Sequence, residues 1–276
     1  MLISKKFLNN LKKCSGITPG AQHISVNDIK YFKNILHTKS PYRYFGRNKI
    51  SYCNILENKF KKFLNRKFFL LVSSGTAALH LAIEALDIKE GDEVIIPAYG
   101  WSSDLMTIIN KKAIPVIVPI DKYLGLEVES LKKAVTKKTK VIVAIHMRGH
   151  VCDIKSISTF AKKKKIKIIE DCSQCLGGKI NGNKVGSYGD ISTFSFQFNK
   201  LITAGEGGGI TTNDKSIFYK INRFHDLGMG RMYGQPDPVG NIAKEIGLNY
   251  HYNELSAALL LAQFEKINLI IKNLKH

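Results

Sequence analysis

The sequence predicts an α/β fold, a mostly parallel sheet covered by helices on both faces. Between residues 68 and 169, short apolar runs alternate with helix-forming stretches of about ten residues, which is typical of βαβ units. The runs are nearly continuous in apolar character, as in strands that are buried on both faces. The composition, 44% hydrophobic and 23% charged, is that of a globular chain.

The individual elements follow from this alternation. The predicted strands are Phe68–Val72, Asp92–Ile96, Ile114–Val118, Lys140–Ile145 and Ile166–Ile169, and the helices between them are Thr76–Leu86, Ser103–Asn110, Glu127–Val135 and Ile154–Lys164. The pattern then changes, because two further strands follow with little helix between them. These are Ile191–Phe198 and Gly209–Asn213, followed by a helix from Asp214 to about Arg223 and by a final helix that Asn253 caps.

The remaining segments are less regular. Residues 1–65 are predicted to be mostly helical and polar, with an irregular approach at Pro41–Gly46, and residues 226–247 to be loop-like. No apolar run approaches the roughly 18 residues of a membrane span, and no signal peptide is recognisable. The five cysteines are an odd number, which fits reduced thiols and a cytoplasmic protein.

The net charge of +20 raises the possibility of a nucleic-acid partner. The lysines are spread along the chain, however, and the dense run Lys162–Lys165 lies at the end of a predicted helix, where cations suit the helix dipole. The sequence contains no helix-turn-helix, finger or aromatic RNA-binding signature. We therefore expect no nucleic acid and no membrane among the partners, and an anionic small substrate suits the charge equally well.

One candidate site is an anion cradle. Ser73–Ala78 joins an apolar strand to a helix, so free amides, hydroxyl groups and the close-approach Gly75 meet at a helix N-terminus beside Thr76. In open α/β sheets, ligands bind at this edge, outside the carboxyl ends of the strands. The pattern favours a phosphate, although a simply capped helix is the commoner outcome.

A second candidate follows the strand that ends at Ile169. Asp171 could hold a cationic ring nitrogen, because an opposite charge favours the protonated ring. A structural acid at a strand end is about as common. The overlapping pair Cys172 and Cys175 could be a redox pair, and with His146, His150 and Cys152 it could supply zinc ligands. No second CxxC motif completes a structural zinc site, so no metal is expected.

The third candidate is Lys200. It falls just past the predicted strand Ile191–Phe198, in which polar and aromatic residues alternate, and a glycine cluster follows it. Burial by the neighbouring aromatic rings would lower the pKa of the lysine, which is what an amine needs to attack a carbonyl and form a Schiff base. A lysine at a strand end is more often solvated. Trp101, the single tryptophan, could stack on a planar ring.

Together these pieces have the order that pyridoxal phosphate requires. The sequence resembles the fold-type-I sugar aminotransferases of the DegT/DnrJ/EryC1/StrS group from about residue 40 to the C-terminus. The stretches that carry the resemblance are Val72–Ala82, Gly91–Pro97, Glu170–Gln174, Gly189–Phe196, Lys200, Gly205–Gly208 and Asn249–Gln263.

The resemblance implies a role for each matched residue. Lys200 would carry the cofactor and shuttle a proton, Asp171 would keep the pyridine nitrogen protonated, and Gln174 would lie near the ring hydroxyl. Trp101 would stack on the ring. Gly75, Thr76 and Ser195 would contact the phosphate. In this family, the segment matching Asn249–Asn253 of a dimer partner commonly completes the phosphate site, and His251 stands where an arginine or asparagine is usual.

The resemblance also implies a reaction. We expect an amino group to pass from a donor, glutamate, to a nucleotide-linked keto sugar, within a homodimer. Relatives that remove a hydroxyl carry a histidine where this chain keeps Lys200, which favours transamination. Two alternatives stay open: a family member that binds cofactor but is catalytically weak, and a basic nucleic-acid-binding protein.

The domain division follows the same resemblance. It gives an N-terminal helical segment at 1–40, a cofactor-binding α/β domain at 41–250, and at 251–276 the start of a helix that leads in relatives to a smaller C-terminal domain. In the chain as given we expect this helix to expose an apolar stripe that includes Ile267, Ile270, Ile271 and Leu274.

Overall fold

The computed structural model describes residues 18–44, 51–231 and 246–274. Three expectations therefore lie outside the described residues, in whole or in part: the helical structure of residues 1–17, the approach at residues 45 and 46, and the loop across 232–245. No helix within the described ranges has the length and apolar character needed to cross a membrane.

The helices and strands have these bounds. The strands are β1 Phe68–Val72, β2 Glu93–Pro97, β3 Ile114–Val118, β4 Thr139–Ile145, β5 Lys167–Asp171, β6 Lys179–Ile180, β7 Asn183–Lys184, β8 Ile191–Ser195 and β9 Gly208–Thr212. The helices are α1 Ile29–Thr38, α2 Tyr52–Leu64, α3 Gly75–Ala85, α4 Ser102–Asn110, α5 Val128–Ala134, α6 Ile154–Lys164, α7 Lys215–His225, α8 Glu254–Glu265 and α9 Ile267–Asn273.

Seven strands form the main sheet, in the order β1-β9-β8-β5-β4-β2-β3. The pairs from β3 to β8 are parallel, which confirms the predicted βαβ units. Strand β9 runs antiparallel to both of its neighbours, β1 and β8. The connection from β8 to β9 contains no helix, and without a crossover two adjacent strands pair antiparallel.

Helices cover both faces of the sheet, as predicted. Successive strand residues enter different cores: Val94 packs with α3, α4 and α7, whereas Ile95 packs with α5 and α6. In β1, Leu70 belongs to the first core, whereas Leu71 packs with α2, α8 and α9. This alternation is the two-residue period of a strand that is buried on both sides.

Two sequence-based expectations are wrong in detail. Strand β8 ends at Ser195 rather than Phe198, because the Phe196 amide donates a hydrogen bond across to the Gly207 carbonyl and the chain then turns. The exposed stripe expected near the C-terminus is exposed in part: Ile267 and Ile270 are buried and Ile271 is partly buried, whereas Leu274 is 56% exposed. The helix breaks at Lys266, so Ile267 and Ile270 turn into the core with α2 and α8. The short β6–β7 hairpin was not predicted, since two-residue strands carry no detectable period.

One buried carboxylate fixes the chain before β8. Glu170, in β5, is fully buried and accepts hydrogen bonds from the amides of Gly186, Tyr188 and Gly189 at 2.6, 2.9 and 2.8 Å. The Ser192 hydroxyl donates at 3.2 Å, and the distance from His146 Nε2 is 3.0 Å. Burial alone would raise the pKa of Glu170, but these donors bring it below the usual value.

We expect Glu170→Gln to lower the free energy of unfolding by about 3 kcal/mol, because an amide turns N–H donors toward the N–H groups that the carboxylate satisfied. Urea unfolding measures this loss. The loss should shrink on acidification, since a group with a lowered pKa contributes stability that disappears as pH falls through its folded-state pKa. The control is Glu129→Gln, on an exposed pair with Lys132, which should change stability little. Equal effects of the two substitutions would contradict this role of Glu170.

Candidate active site

The predicted site residues meet at one edge of the sheet. Asp171 ends β5 and Ser195 ends the parallel strand β8, while α3 begins at Gly75 after β1. Lys200 lies in the turn after β8. Because the carboxyl ends of parallel strands share an edge, these positions converge there.

The anion cradle is formed where β1 leads into α3. Ser74 caps the helix, with its hydroxyl accepting the Ala77 amide at 3.0 Å. A Cβ placed on Gly75 would lie 2.9 Å from Ser195 Cβ and 3.2 Å from Ser195 Oγ, so glycine is required for this close approach. The first-turn amides and the Ser195 hydroxyl therefore lie together, and Thr76 is exposed beside them. This is an arrangement suited to a phosphate.

Asp171 is held in place by hydrogen bonds to one of its two carboxylate oxygens. Its Oδ1 accepts the Ser173 amide at 3.0 Å, the Ser173 hydroxyl at 2.6 Å and the Thr193 hydroxyl at 3.3 Å. Its Oδ2 accepts no hydrogen bond from the residues that the structure describes. The carboxylate is 4% exposed, so its position is fixed while one acceptor oxygen is left for a ligand. Thr193 was not predicted as a site residue. What could have identified it is its position opposite Asp171 in the pairing of β5 with β8.

Lys200 lies in a closed turn. Its amide donates to the Gln197 carbonyl at 2.9 Å, and its own carbonyl accepts the Gly20 amide at 3.1 Å. Partial burial lowers the pKa of the ammonium group, against the opposing charge of Asp171 and that of Asp104 whenever this carboxyl is ionised. The predicted direction of this shift is confirmed. A lysine with a lowered pKa is more readily neutral and hence nucleophilic.

Gln174 and Trp101 lie at the same edge of the sheet. Gln174 Oε1 accepts the Arg148 amide at 3.3 Å, which fixes the side chain to the turn after β4. Arg148 Nε donates to the Tyr99 hydroxyl at 3.1 Å, and neither of these two residues was predicted. Trp101 caps α4 through its backbone, and its side chain is 68% exposed. The exposed indole is accessible for stacking.

The segment around His251 makes hydrogen bonds within the same chain. The Tyr250 carbonyl accepts the Ser73 amide at 3.0 Å, next to the cradle. His251 Nε2 lies 2.7 Å from Asp226 Oδ1, and Arg231 donates to both oxygens of Asp226. Burial raises the pKa of Asp226, but these hydrogen bonds bring it below its ordinary value. His251 is thus paired with a carboxylate in the position that the resemblance left open.

The zinc hypothesis finds no free ligand set in the described part of the chain. His146, Glu170 and Cys172 place possible ligand atoms within 4.8 Å of one another. His146 Nδ1 accepts the Cys152 amide at 3.2 Å, so the other nitrogen carries the proton and faces Glu170. No nitrogen lone pair of His146 remains for a metal.

The redox hypothesis is disfavoured by burial. Cys172 and Cys175 are free, buried thiols. Burial raises the pKa of Cys175 to about 11 and that of Cys172 well above its ordinary value. Buried thiols of high pKa are unreactive, because the thiolate is the nucleophile.

A cleft lined by several lysines lies away from this edge. A cavity of about 890 Å³ at the opposite ends of the strands is lined by lysines that include Lys140, Lys164 and Lys167, and by Asp87 and Asp92. It shares no residue with the candidate site.

The fold is α/β, with a mostly parallel seven-stranded sheet between helices, and it is similar to that of solved aminotransferases. The sequence model of the DegT/DnrJ/EryC1/StrS aminotransferase family matches residues 30–275, and the chain belongs to this family.

Individual relatives agree with this assignment. The chain is 39% identical over 224 residues to GDP-perosamine synthase from Vibrio cholerae, an alignment that covers 80% of this chain and 59% of the relative. It is 36% identical over 203 residues to L-glutamine:2-deoxy-scyllo-inosose aminotransferase from Micromonospora echinospora, covering 71% and 48%.

Among solved structures, an E. coli GDP-4-keto-6-deoxy-D-mannose-3-dehydratase with bound hydrated PLP is similar, with a TM-score of 0.82 and 26% identity over 92% of this chain and 68% of that one. The chain thus spans 59% and 48% of the lengths of these two relatives.

We expect Cys172 and Cys175 to resist labelling in the native protein at neutral pH, because both thiols are buried and protonated. The measurement is the rate of thiol labelling with an aromatic disulfide, before and after denaturation, in a Cys14→Ser background. Rapid native labelling of this pair would restore the redox hypothesis.

Proposed function

We propose that the protein is a pyridoxal-phosphate-dependent aminotransferase acting on a nucleotide-linked keto sugar, with glutamate as amino donor. The observation that carries the proposal is the position of Lys200. An amine of lowered pKa shares one sheet edge with a half-satisfied buried carboxylate and a helix N-terminal anion cradle.

The residues present fit pyridoxal phosphate. The amides that begin α3, with Thr76 and Ser195, would hold the phosphate, because a helix N-terminus favours anions. The Oδ2 atom of Asp171 would accept the ring N–H, and the exposed Trp101 would cover one ring face. When bound, the cofactor supplies an electron sink for the carbon that carries the amino group.

Lys200 has two tasks in this proposal. Its neutral Nζ would attack a carbonyl carbon and form a C=N link with loss of water. Once the amino donor has displaced it, the same amine would take a proton from the donor carbon that carries the amino group and deliver it to the former carbonyl carbon. Partial burial favours the neutral form, while the charge of Asp171, and that of Asp104 whenever this carboxyl is ionised, favours the charged form. Burial therefore makes the neutral amine more accessible than in a solvent-exposed lysine, while the neighbouring carboxylate charge limits the lowering of its pKa.

The substrate class is inferred from the relatives' names and from charge. GDP-perosamine synthase names a nucleotide-linked sugar product. A net charge of +20 suits a substrate that carries a diphosphate. One relative is named for L-glutamine as its amino donor, so glutamine is the competitor to glutamate. A screen of keto sugars, free and nucleotide-linked, against both donors tests the assignment.

We also propose a cytoplasmic homodimer. Trp101 and Phe198, which are 68% and 50% exposed, lie beside the site and present apolar surface that a second copy could cover.

Lys200→Ala should abolish covalent retention of the cofactor. Mass spectrometry after borohydride reduction should find one cofactor per wild-type chain and none on the variant, because no other amine lies in the site as proposed. The matched control is Lys184→Ala, since burial also lowers the pKa of Lys184 but its Nζ donates to the Phe63 carbonyl. If cofactor remains fixed to Lys200→Ala at wild-type stoichiometry, another lysine carries it.

Asp171→Asn should bind cofactor but react with the amino donor at least about a hundredfold more slowly, since a neutral amide no longer stabilises a cationic ring nitrogen. Rapid mixing of the loaded protein with glutamate measures this half-reaction by loss of the visible absorbance. Ser173→Ala, which removes one donor to Asp171 but keeps the charge, should be affected far less. A wild-type rate in Asp171→Asn would rule out the ring-nitrogen role.

A further inference from the structure

The first turn of α4 carries a buried carboxyl group, that of Asp104, which accepts no hydrogen bond from the residues that the structure describes. Asp104 is 3% exposed, and both of its side-chain oxygens are buried without a hydrogen bond from any residue in the described ranges. Buried carboxyl groups in folded proteins are almost always hydrogen-bonded or paired, because removing them from water is costly. An unpartnered one indicates a specific use.

Asp104 faces the candidate site. A Cβ on Gly100 would lie 2.8 Å from Ile145 Cδ1 and 3.9 Å from Asp104 Oδ2, so this oxygen lies near the end of β4. Ile145 is the last residue of β4 and is the register partner of Asp171 in β5. The carboxyl of Asp104 therefore lies at the carboxyl edge of the sheet, on the side of Asp171.

The charges around Asp104 agree with this placement. Burial raises the pKa of Asp104 well above the ordinary value of an aspartate, and the charge of Asp171 raises it further. The amides of Trp101 and of Asp104 itself oppose this rise without meeting hydrogen-bond geometry, and the charge of Lys200 also opposes it.

Other charged groups on the elements packed against α4 are engaged elsewhere. On α3, Glu84 pairs with His80 and with Lys111, which lies past the far end of α4. On β2, Glu93 accepts hydrogen bonds from Thr136 and Thr139 at the opposite end of the sheet. Asp171 and Lys200 are thus the charged groups of the described residues that face Asp104.

A helix cap is the simpler explanation for an acid in a first turn. Asp104 is the third residue of α4, where a carboxylate can reach back to the N-cap amide. Its oxygens lie close enough to the amides of Trp101 and Asp104 to lower its pKa, but neither amide meets hydrogen-bond geometry, and a capping acid has no need to be buried. The two explanations predict opposite effects of removing the charge.

We propose that Asp104 is a second carboxyl of the ring-nitrogen site, one that gains its counter-charge when a cationic ring nitrogen binds beside Asp171. The inference rests on the proposed function. In the cofactor-free protein Asp104 keeps its proton. When the ring cation binds, the carboxyl releases that proton to solvent and becomes negative, so cofactor binding is coupled to pH.

The first test measures urea unfolding of the cofactor-free protein from pH 5 to pH 8.5. A group whose pKa is raised on folding contributes stability that is present at low pH and lost as pH rises toward the folded-state value. Asp104→Asn removes this loss. Its stability advantage over wild type should therefore grow with pH, by up to about tenfold in the unfolding equilibrium constant per pH unit.

Asp28→Asn is the matched control. Asp28 is similarly buried, at 4% exposed, but it pairs with Lys266 Nζ at 2.8 Å and accepts the Ser25 amide at 2.9 Å. That substitution should destabilise the protein throughout the range. If Asp104→Asn also destabilises at every pH, Asp104 is a helix cap and the proposal is wrong.

The second test uses pyridoxine 5′-phosphate, which has the ring and phosphate but no aldehyde, so Lys200 forms no covalent link. Calorimetry should show nearly equal affinity of wild type and Asp104→Asn at pH 6. At pH 8 the variant should bind at least tenfold more weakly. Titration of the free probe is common to both proteins and cancels in the ratio.

The outcomes separate the two proposals. Wild-type protein that binds neither this probe nor pyridoxal phosphate overturns the proposed function and this inference together. Wild-type binding with an affinity ratio that does not change with pH overturns only the role of Asp104. An Asp104→Asn/Asp171→Asn double variant completes the cycle, and additive effects on probe binding would show that the two carboxyls do not form one site.

Discussion

The hydrogen bonds of the Glu170 carboxylate are the interaction on which the site depends. Five groups converge on it, three of them backbone amides from residues 186–189. These amides lie in the connection that leads into β8, so the carboxylate fixes where β8 begins. The register of β8 against β5 follows, and with it the contact between Thr193 and Asp171. Glu170 thereby helps to set the position of the Asp171 side chain, the next residue in the sequence.

Three buried acids near this edge differ in how far the protein satisfies them. Glu170 is fully hydrogen-bonded, Asp171 is bonded through one oxygen, and Asp104 accepts no bond from the described residues. Desolvation disfavours the charge on all three, and the number of donors decides whether the charge persists. In the proposed function, Glu170 stabilises the fold, whereas Asp171 and Asp104 would gain partners when a ligand binds. Sites commonly keep such incompletely satisfied groups at the expense of stability.

Much of the fold was predictable because its signals are local. The bounds of β1, β3 and α6 match the periodicity, and the alternation of strands and helices confirms the parallel units. The direction of β9 was not predictable in this way, since it depends on a connection that folds back through residues 196–207. The burial of Ile267 was missed because the break at Lys266 depends on packing against α2 and α8.

In the candidate site as well, residues with local sequence signals were predictable and residues defined by distant contacts were not. Gly75 and Ser195 belong to recognisable local patterns, and the structure brings them into contact. Thr193, Arg148 and Asp104 carry no local signal, because each acquires its meaning from a residue that is distant in sequence. Asp104 in particular is indistinguishable in the sequence from an ordinary first-turn acid. What distinguishes a ligand-binding acid from a helix-capping acid here is that Asp104 is buried beside Asp171 and accepts no hydrogen bond from the described residues.

The Lys200 turn shows how a rigid backbone can present a reactive side chain. The turn is closed on one side by the Phe196 amide bonded to the Gly207 carbonyl, and on the other by the Gly20 amide bonded to the Lys200 carbonyl. The segment that contains Gly20 is itself anchored, since Lys266 donates to the His23 carbonyl and to Asp28. The backbone of the lysine is therefore fixed by three parts of the chain, while its Nζ makes no hydrogen bond to the described residues. The role proposed for Lys200, to attack, release and exchange protons, would depend on this combination, because a fixed backbone lowers the entropic cost of each step and a nitrogen without a hydrogen bond is available to react with a ligand.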